Sequence, residues 1–278
     1  MWSFIKASVE GTSHKSAGVP CQDACDAFRL KDGDDSVLVA AIADGAGSAE
    51  HSELGARAAV DHLLKVACPE AVGADCLNEQ LVRAWYQGTL EHLEGVAVRE
   101  FIPVKDLACT LLLAVVWKNG AVLAQIGDGA WVLEKDGELM AGTWPENGEF
   151  ANVTVFLTSQ GAFEHLQFKR IEGRMSAVAG FTDGIQSLAL DFGARIPGVR
   201  FFNAMFSSLR SSSDATELLA PLRNLLESEM ICSRTDDDKT LVLGVWRDAE
   251  TAPLEVKNEE TAPAEVVAEP VNSDGSPE

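Results

Sequence analysis

Apolar residues along this chain follow two rhythms. In the first they run almost without interruption and are rich in Val, Leu, Ile and Ala: Ser36 to Ala43, Cys109 to Trp117, Ala121 to Ile126, Ala130 to Glu134, Asn152 to Thr158, Ser176 to Phe181 and Thr240 to Trp246. Such runs predict strands buried on at least one face. Lys118-Asn119-Gly120 separates two of them and is a hairpin turn signal. In the second rhythm apolar positions recur at helical spacing. Ser52 to Val66 has them at 54, 58, 59, 63 and 66, and Leu77 to Val98 continues in that style with a break expected at Gly88. Val199 to Leu209 and Ala215 to Met230 also read as helices, the second with Asp214 as its N-cap. Hairpin-linked strands, with helices in paired blocks between them, predict an α+β fold of antiparallel sheets layered against helices.

Composition changes the picture at the C-terminal end. Residues 249–278 hold four of the ten prolines, eight acidic residues, one Lys and no aromatic residue. Such a segment cannot bury enough apolar surface to offset its ordering entropy. The expected organisation is one domain over residues 1–248 and a disordered acidic tail over 249–278. The net charge of −21 speaks against nucleic acid or an anionic membrane as partner, because both repel a negative surface. Leu107 to Trp117 is the longest apolar stretch and is too short to span a bilayer. Met1 to Lys6 lacks the apolar core of a signal peptide. The cysteines at 21, 25, 68, 76, 109 and 232 lack zinc-finger spacing. They are expected to be reduced, mostly buried thiols of a cytoplasmic protein.

The chemistry lies in where Asp recurs. Asp44, Asp128 and Asp183 each follow an apolar run and precede a Gly, while Asp237 and Asp238 open the last run and Asp23 lies early, in Pro-Cys-Gln-Asp-Ala. Any one Asp-Gly pair is a common turn signal. Three in the same place at strand ends would put carboxylates on a rigid base at one sheet edge, with glycines permitting close backbone approach. Clustered oxygen ligands select hard cations such as Mg²⁺ and Mn²⁺. Two such ions about 4 Å apart can acidify a water and clamp a phosphoryl group for in-line attack. Neither the CxxxxxR loop of cysteine-dependent phosphatases nor a glycine-rich nucleotide loop ending in Gly-Lys-Ser/Thr is present.

Five ordered motifs carry a resemblance. They are Gly11-Thr12-Ser13-His14 with Cys21-Gln22-Asp23-Ala24, then Asp44-Gly45-Ala46-Gly47, Gly127-Asp128-Gly129, Thr182-Asp183-Gly184, and Asp237-Asp238-Lys239-Thr240. In these, over residues 5–247, the chain resembles the protein phosphatase 2C family of metal-dependent serine/threonine phosphatases, most of all its compact bacterial branch. The resemblance implies a four-layer α-β-β-α sandwich of two antiparallel sheets flanked by helix pairs. It implies two Mg²⁺ or Mn²⁺ ions with room for a third: Asp44 bridging two ions, the Gly45 carbonyl on one of them, Asp183 and Asp237 completing the second site, and Asp128 at the third. Asp23 would orient metal-bound water, and a metal-bridging hydroxide would attack phosphorus. Phosphorylated proteins, with a cognate Ser/Thr kinase, are the partners the family implies.

The chain departs from the family pattern at four places, the mildest being Gly129 in a Gly-Asp-Gly loop where the family has Gly-Asp-Ser, which leaves the Asp128 carboxylate intact. Gln22 stands where the family often has Glu, and Ala46 where it often has a His proposed as general acid. The usual phosphate-binding Arg is missing from Ser16-Ala17-Gly18-Val19-Pro20, leaving His14 or Lys15 to replace its charge. His51 is a second candidate acid, against the plainer reading of a surface residue at a helix start. Two other functions stay open at this point: a catalytically weak or inactive regulator of the same fold, and a hydrolase of small phosphoesters. Asp44, Asp183 and Asp237, all present, weigh against the regulator.

Overall fold

The computed structural model describes residues 1–31, 33–146 and 154–248. The strands are β1 (Trp2–Val9), β2 (Ala24–Leu30), β3 (Val37–Ala43), β4 (Leu111–Trp117), β5 (Gly120–Ile126), β6 (Ala130–Lys135), β7 (Glu138–Ala141), β8 (Gln167–Glu172), β9 (Met175–Phe181), β10 (Leu190–Asp191), β11 (Ile196–Pro197) and β12 (Lys239–Trp246). The helices are α1 (Thr12–Ala17), α2 (Ser52–Ala71), α3 (Glu79–Glu100), α4 (Gln186–Ala189), α5 (Val199–Ser211), α6 (Leu219–Leu226) and α7 (Glu229–Cys232). Two five-stranded antiparallel sheets form, in the orders β1-β12-β9-β6-β7 and β2-β3-β4-β5-β8.

Alternation along β3 shows why the layers stack. Val37, Val39, Ala41 and Ala43 pack outward with Leu63, Leu64, Tyr86 and Leu93 of α2 and α3. Leu38, Ala40 and Ile42 pack inward with Trp131, Val178 and Val242 of the other sheet. Both faces are therefore apolar, as a strand covered on two sides requires. The outer face of the second sheet is closed by Phe202, Phe206 and Leu209 of α5 and by Leu222 and Leu226 of α6. The expected α-β-β-α sandwich is the fold that forms.

Several local expectations are corrected. Helix α3 runs unbroken through Gly88, which faces the His62 ring of α2, and it starts after Asn78, whose side chain accepts from the Leu81 amide. The segment 215–230 is no single helix: a 3-10 turn over Ala215–Leu218 precedes α6 and α7. Asp214 does cap its start, accepting from the Thr216 amide at 2.8 Å. The strand expected over Asn152 to Thr158 is absent among its described residues; Thr154 makes only an isolated bridge and the chain turns from Leu157. Residues 152 and 153, like the tail from Ala249 to Glu278, lie outside the described residues. Of the six cysteines, all free, only Cys109 is buried; Cys76 is exposed and the other four are half-buried.

Candidate metal centre and its cleft

Three of the predicted aspartates converge. Asp44 leaves the end of β3, Asp128 sits in the β5–β6 connection, and Asp183 follows β9. Each offers a carboxylate oxygen within 4.8 Å of the others. The backbone at Asp44 is pinned on both sides by Thr110: the Asp44 amide donates to Thr110 Oγ1 at 2.9 Å and the Thr110 amide to the Asp44 carbonyl at 2.8 Å. Thr154 Oγ1 donates to Asp128 Oδ2, and the Gln186 side-chain amide donates to the Asp128 carbonyl. The glycines after these aspartates have a common cause. A Cβ on Gly45 would lie 2.6 Å from the Gln22 carbonyl, one on Gly129 2.6 Å from the Phe181 carbonyl, and one on Gly184 closer still to the Asp238 carbonyl. Each lets a neighbouring segment pass against the backbone beside the aspartate, which a side chain would forbid.

These carboxylates are electrostatically crowded. Burial, followed by the charges of Asp23, Asp183, Asp128 and Asp237, pushes Asp44 well above the usual carboxylate range. Burial, then Asp128 and Asp237, raises Asp183 to about 6. Burial also raises Asp128, opposed by the Thr154 hydrogen bond. The cleft that holds them has a volume of about 290 Å³ and is lined also by Ser13, His14, Gln22, Gly45 and Asp237. Among its described lining residues there is no Lys or Arg. Asp183 Oδ1 and Gln22 Oε1 are buried there without a hydrogen-bond partner. Unpaired oxygens, mutual repulsion and an oxygen-only donor set together fit a divalent hard cation.

The remaining predicted residues divide. Asp237 is exposed at the cleft wall, outside the tight trio, with its Oδ1 accepting from the Asp238 amide at 2.8 Å. Asp238, which sequence reading left without a role, is 3% exposed and turns inward. Its Oδ1 accepts from the Gly11 amide and its Oδ2 from the Gln22 amide, both at 2.6 Å, and His14 Nδ1 lies 2.9 Å from Oδ1. One carboxylate thus ties the segment around α1 to the start of β12, and His14 lines the cleft beside it. Lys15 turns away, to Glu227 at 3.4 Å, which leaves His14 as the basic group at the site. His51 stands at the N-cap of α2 and does not line the cleft. Asp23 is buried behind the trio. Its Oδ2 accepts from Thr240 Oγ1 at 2.7 Å and Thr182 Oγ1 at 2.9 Å, while burial raises its carboxyl well above the ordinary range.

Comparison with known proteins agrees with this geometry. Residues 10–227 match the family model described as protein phosphatase 2C. The chain is 36% identical over 251 residues to serine/threonine-protein phosphatase 3 of Escherichia coli (strain K12), an alignment covering 89% of this chain and 99% of that one. Among solved structures it superposes on PppA, a regulatory component of the Pseudomonas aeruginosa T6SS, with a TM-score of 0.56 and 19% identity, covering 88% and 97% of the two chains. The PstP catalytic domain, solved with two manganese ions, gives a TM-score of 0.57 at 17% identity with the same coverage. Those two likenesses show the fold, and the family match with the 36% identical relative shows the membership: the chain belongs to the protein phosphatase 2C family of metal-dependent serine/threonine phosphatases.

Proposed function

We propose that this cleft hydrolyses phosphoserine and phosphothreonine in proteins, with Asp44, the Gly45 carbonyl, Asp183 and Asp237 holding two Mg²⁺ or Mn²⁺ ions and Asp128 a third. The observation that carries the reading is the meeting of Asp44, Asp128 and Asp183 oxygens within 4.8 Å, in a cleft whose described lining offers no Lys or Arg to neutralise them. Divalent ions bound there supply Lewis acidity toward phosphoryl oxygens and make water acidic enough to attack near neutral pH. The protein's own part is positional. Asp44 and Asp183 stand on the ends of buried strands, so their carboxylates are held by the sandwich core. His14, which lines the cleft with Nδ1 2.9 Å from Asp238 Oδ1, is the group placed to meet a phosphoryl oxygen, the task an Arg performs elsewhere in the family. Asp23, fixed by Thr182 and Thr240, steadies the water side of the site from behind.

No helix among the described residues is long and apolar enough to cross a membrane. With six free thiols, we place the protein in the cytoplasm, acting on phosphoproteins and on a cognate Ser/Thr kinase. The test is hydrolysis of p-nitrophenyl phosphate and of a phosphothreonine peptide, with and without Mn²⁺, by the wild type and Asp44→Ala. Mn²⁺-dependent turnover lost by at least about 100-fold in the variant is expected. A folded wild type that turns over neither substrate with Mn²⁺ or Mg²⁺ would refute the reading and favour a binding role.

A further inference from the structure

A second cavity, of about 570 Å³ and so roomier than the metal cleft, lies along the side of the sandwich. Its floor is the free edges of the two sheets, Lys6 to Ser8 of β1 and Ala24 to Asp26 of β2; its walls are α2, through Arg57, and α6, through Arg223. The groove begins at Asp23, whose Oδ1 is buried with no hydrogen-bond partner. Ser8 at the same end is joined through Thr240 to Asp23 Oδ2. The groove head is one side chain away from the metal carboxylates: Thr182, the residue before Asp183, donates to Asp23 Oδ2 at 2.9 Å. Cys21 and Asp23 face the groove while Gln22, between them, faces the cleft.

Two features say what the groove takes. Arg57 and Arg223 are both exposed and make no ion pair or side-chain hydrogen bond among the described residues. Glu53 and Asp61, a turn away on α2, do not pair with Arg57. Two unpaired guanidiniums on opposite walls suit a carboxylate side chain. The flanking Glu53 and Asp61 disfavour a polyanion. The outer edge of β2 is also closed to another strand: Lys6 Nζ reaches the Cys25 carbonyl at 3.4 Å, Asp26 Oδ1 takes the Ala27 amide at 2.7 Å, and Lys6 and Asp26 pair at 2.7 Å. Charged guards of this kind block edge pairing, so recognition here is by side chains.

We propose that this groove binds the polypeptide flanking the phosphorylated residue, and that Arg57 and Arg223 select an acidic side chain in it. The proposal rests on the reading of the cleft as one that acts on proteins. The test compares kcat/KM for phosphothreonine peptides with acidic, neutral and basic flanks, and for p-nitrophenyl phosphate, across the wild type, Arg57→Ala, Arg223→Ala and the double variant Arg57→Glu/Arg223→Glu. The wild type should prefer acidic flanks, each Ala variant should lose about 3- to 10-fold on them, and the double Glu variant should turn the preference toward basic flanks. Turnover of p-nitrophenyl phosphate should stay constant throughout. Peptide turnover indifferent to both arginines would overturn the groove alone. Equal losses on p-nitrophenyl phosphate and peptides would also overturn it, by making the arginines part of the cleft's own support. A wild type active on p-nitrophenyl phosphate and on no phosphopeptide would overturn the protein-substrate reading and the groove together.

Discussion

Asp183→Asn should make the metal-free protein more stable while destroying its response to metal. In the folded, metal-free chain burial and the Asp128 and Asp237 charges raise the Asp183 carboxyl from 3.8 to about 6. At about 1.4 kcal/mol per pH unit this is on the order of 3 kcal/mol against keeping the group ionised in the fold. The sign follows from proton binding. Between about pH 4 and 6 the folded chain holds a proton at Asp183 that the unfolded chain has lost, so this group's penalty is absent below that window and grows as pH rises through it. Asn removes the ionisation and relieves Asp44 and Asp128 as well. In urea unfolding with EDTA at about pH 7.5 the variant should therefore exceed the wild type by up to about 3 kcal/mol, and the two should converge near pH 4. With Mn²⁺ the order should reverse, because only the wild type gains the stabilisation of bound ligand. A variant less stable than the wild type in EDTA at about pH 7.5 would refute the claim that these carboxylates are held in mutual strain for a metal.

Two further predictions concern other parts of the molecule. Asp238→Ala should cost about 2–4 kcal/mol in urea unfolding, since it leaves the buried Gly11 and Gln22 amides without an acceptor; it should also weaken inhibition by inorganic phosphate several-fold, as His14→Ala should, and an unchanged inhibition constant in both would remove His14 from phosphate binding. On the α2–α3 face, His62 and His92 stack at 4.5 Å between ring centroids, and burial holds both below the ordinary histidine value. At these two rings the folded chain binds fewer protons than the unfolded one, so their contribution to stability should be lost as pH drops below about 6.5; His92→Gln should remove part of that loss, and an unchanged difference between the variant and the wild type across about pH 5–7.5 would show that the stack is not its source.

What was legible in the sequence was whatever is buried on two faces. β3, β4, β5, β9 and β12 are nearly unbroken apolar runs because both a helix layer and the opposite sheet cover them, and the aspartates after three of them mark where the sandwich ends. β1, β2 and β8 escaped notice for the opposite reason. They are sheet edges whose outward positions carry Lys6, Asp26, Arg29, Lys169 and Arg170, so their apolar content is diluted to the level of a loop. The acidic run Asp236-Asp237-Asp238 shows a second limit. Composition makes the three alike, and only the course of the loop before β12 turns Asp238 inward as a clamp and leaves Asp237 exposed at the cleft. Asn152 to Thr158 has strand-like residues, yet Leu157 and Phe156 are used to pack a turn beneath the site, where tertiary context overrides propensity.

The pairing of the first strand with the last has a consequence for how the protein is made. Within its sheet β1 bonds to β12 alone, and the Gly11–Gln22 segment is anchored by Asp238. A chain emerging from the ribosome cannot finish either contact until nearly 240 residues have been joined, which at about 5–20 residues per second takes on the order of tens of seconds. Through that interval the amino-terminal strand has no partner and His14 no anchor. Activity should therefore appear only once β12 has been made, and a product cut short before Lys239 should show no turnover.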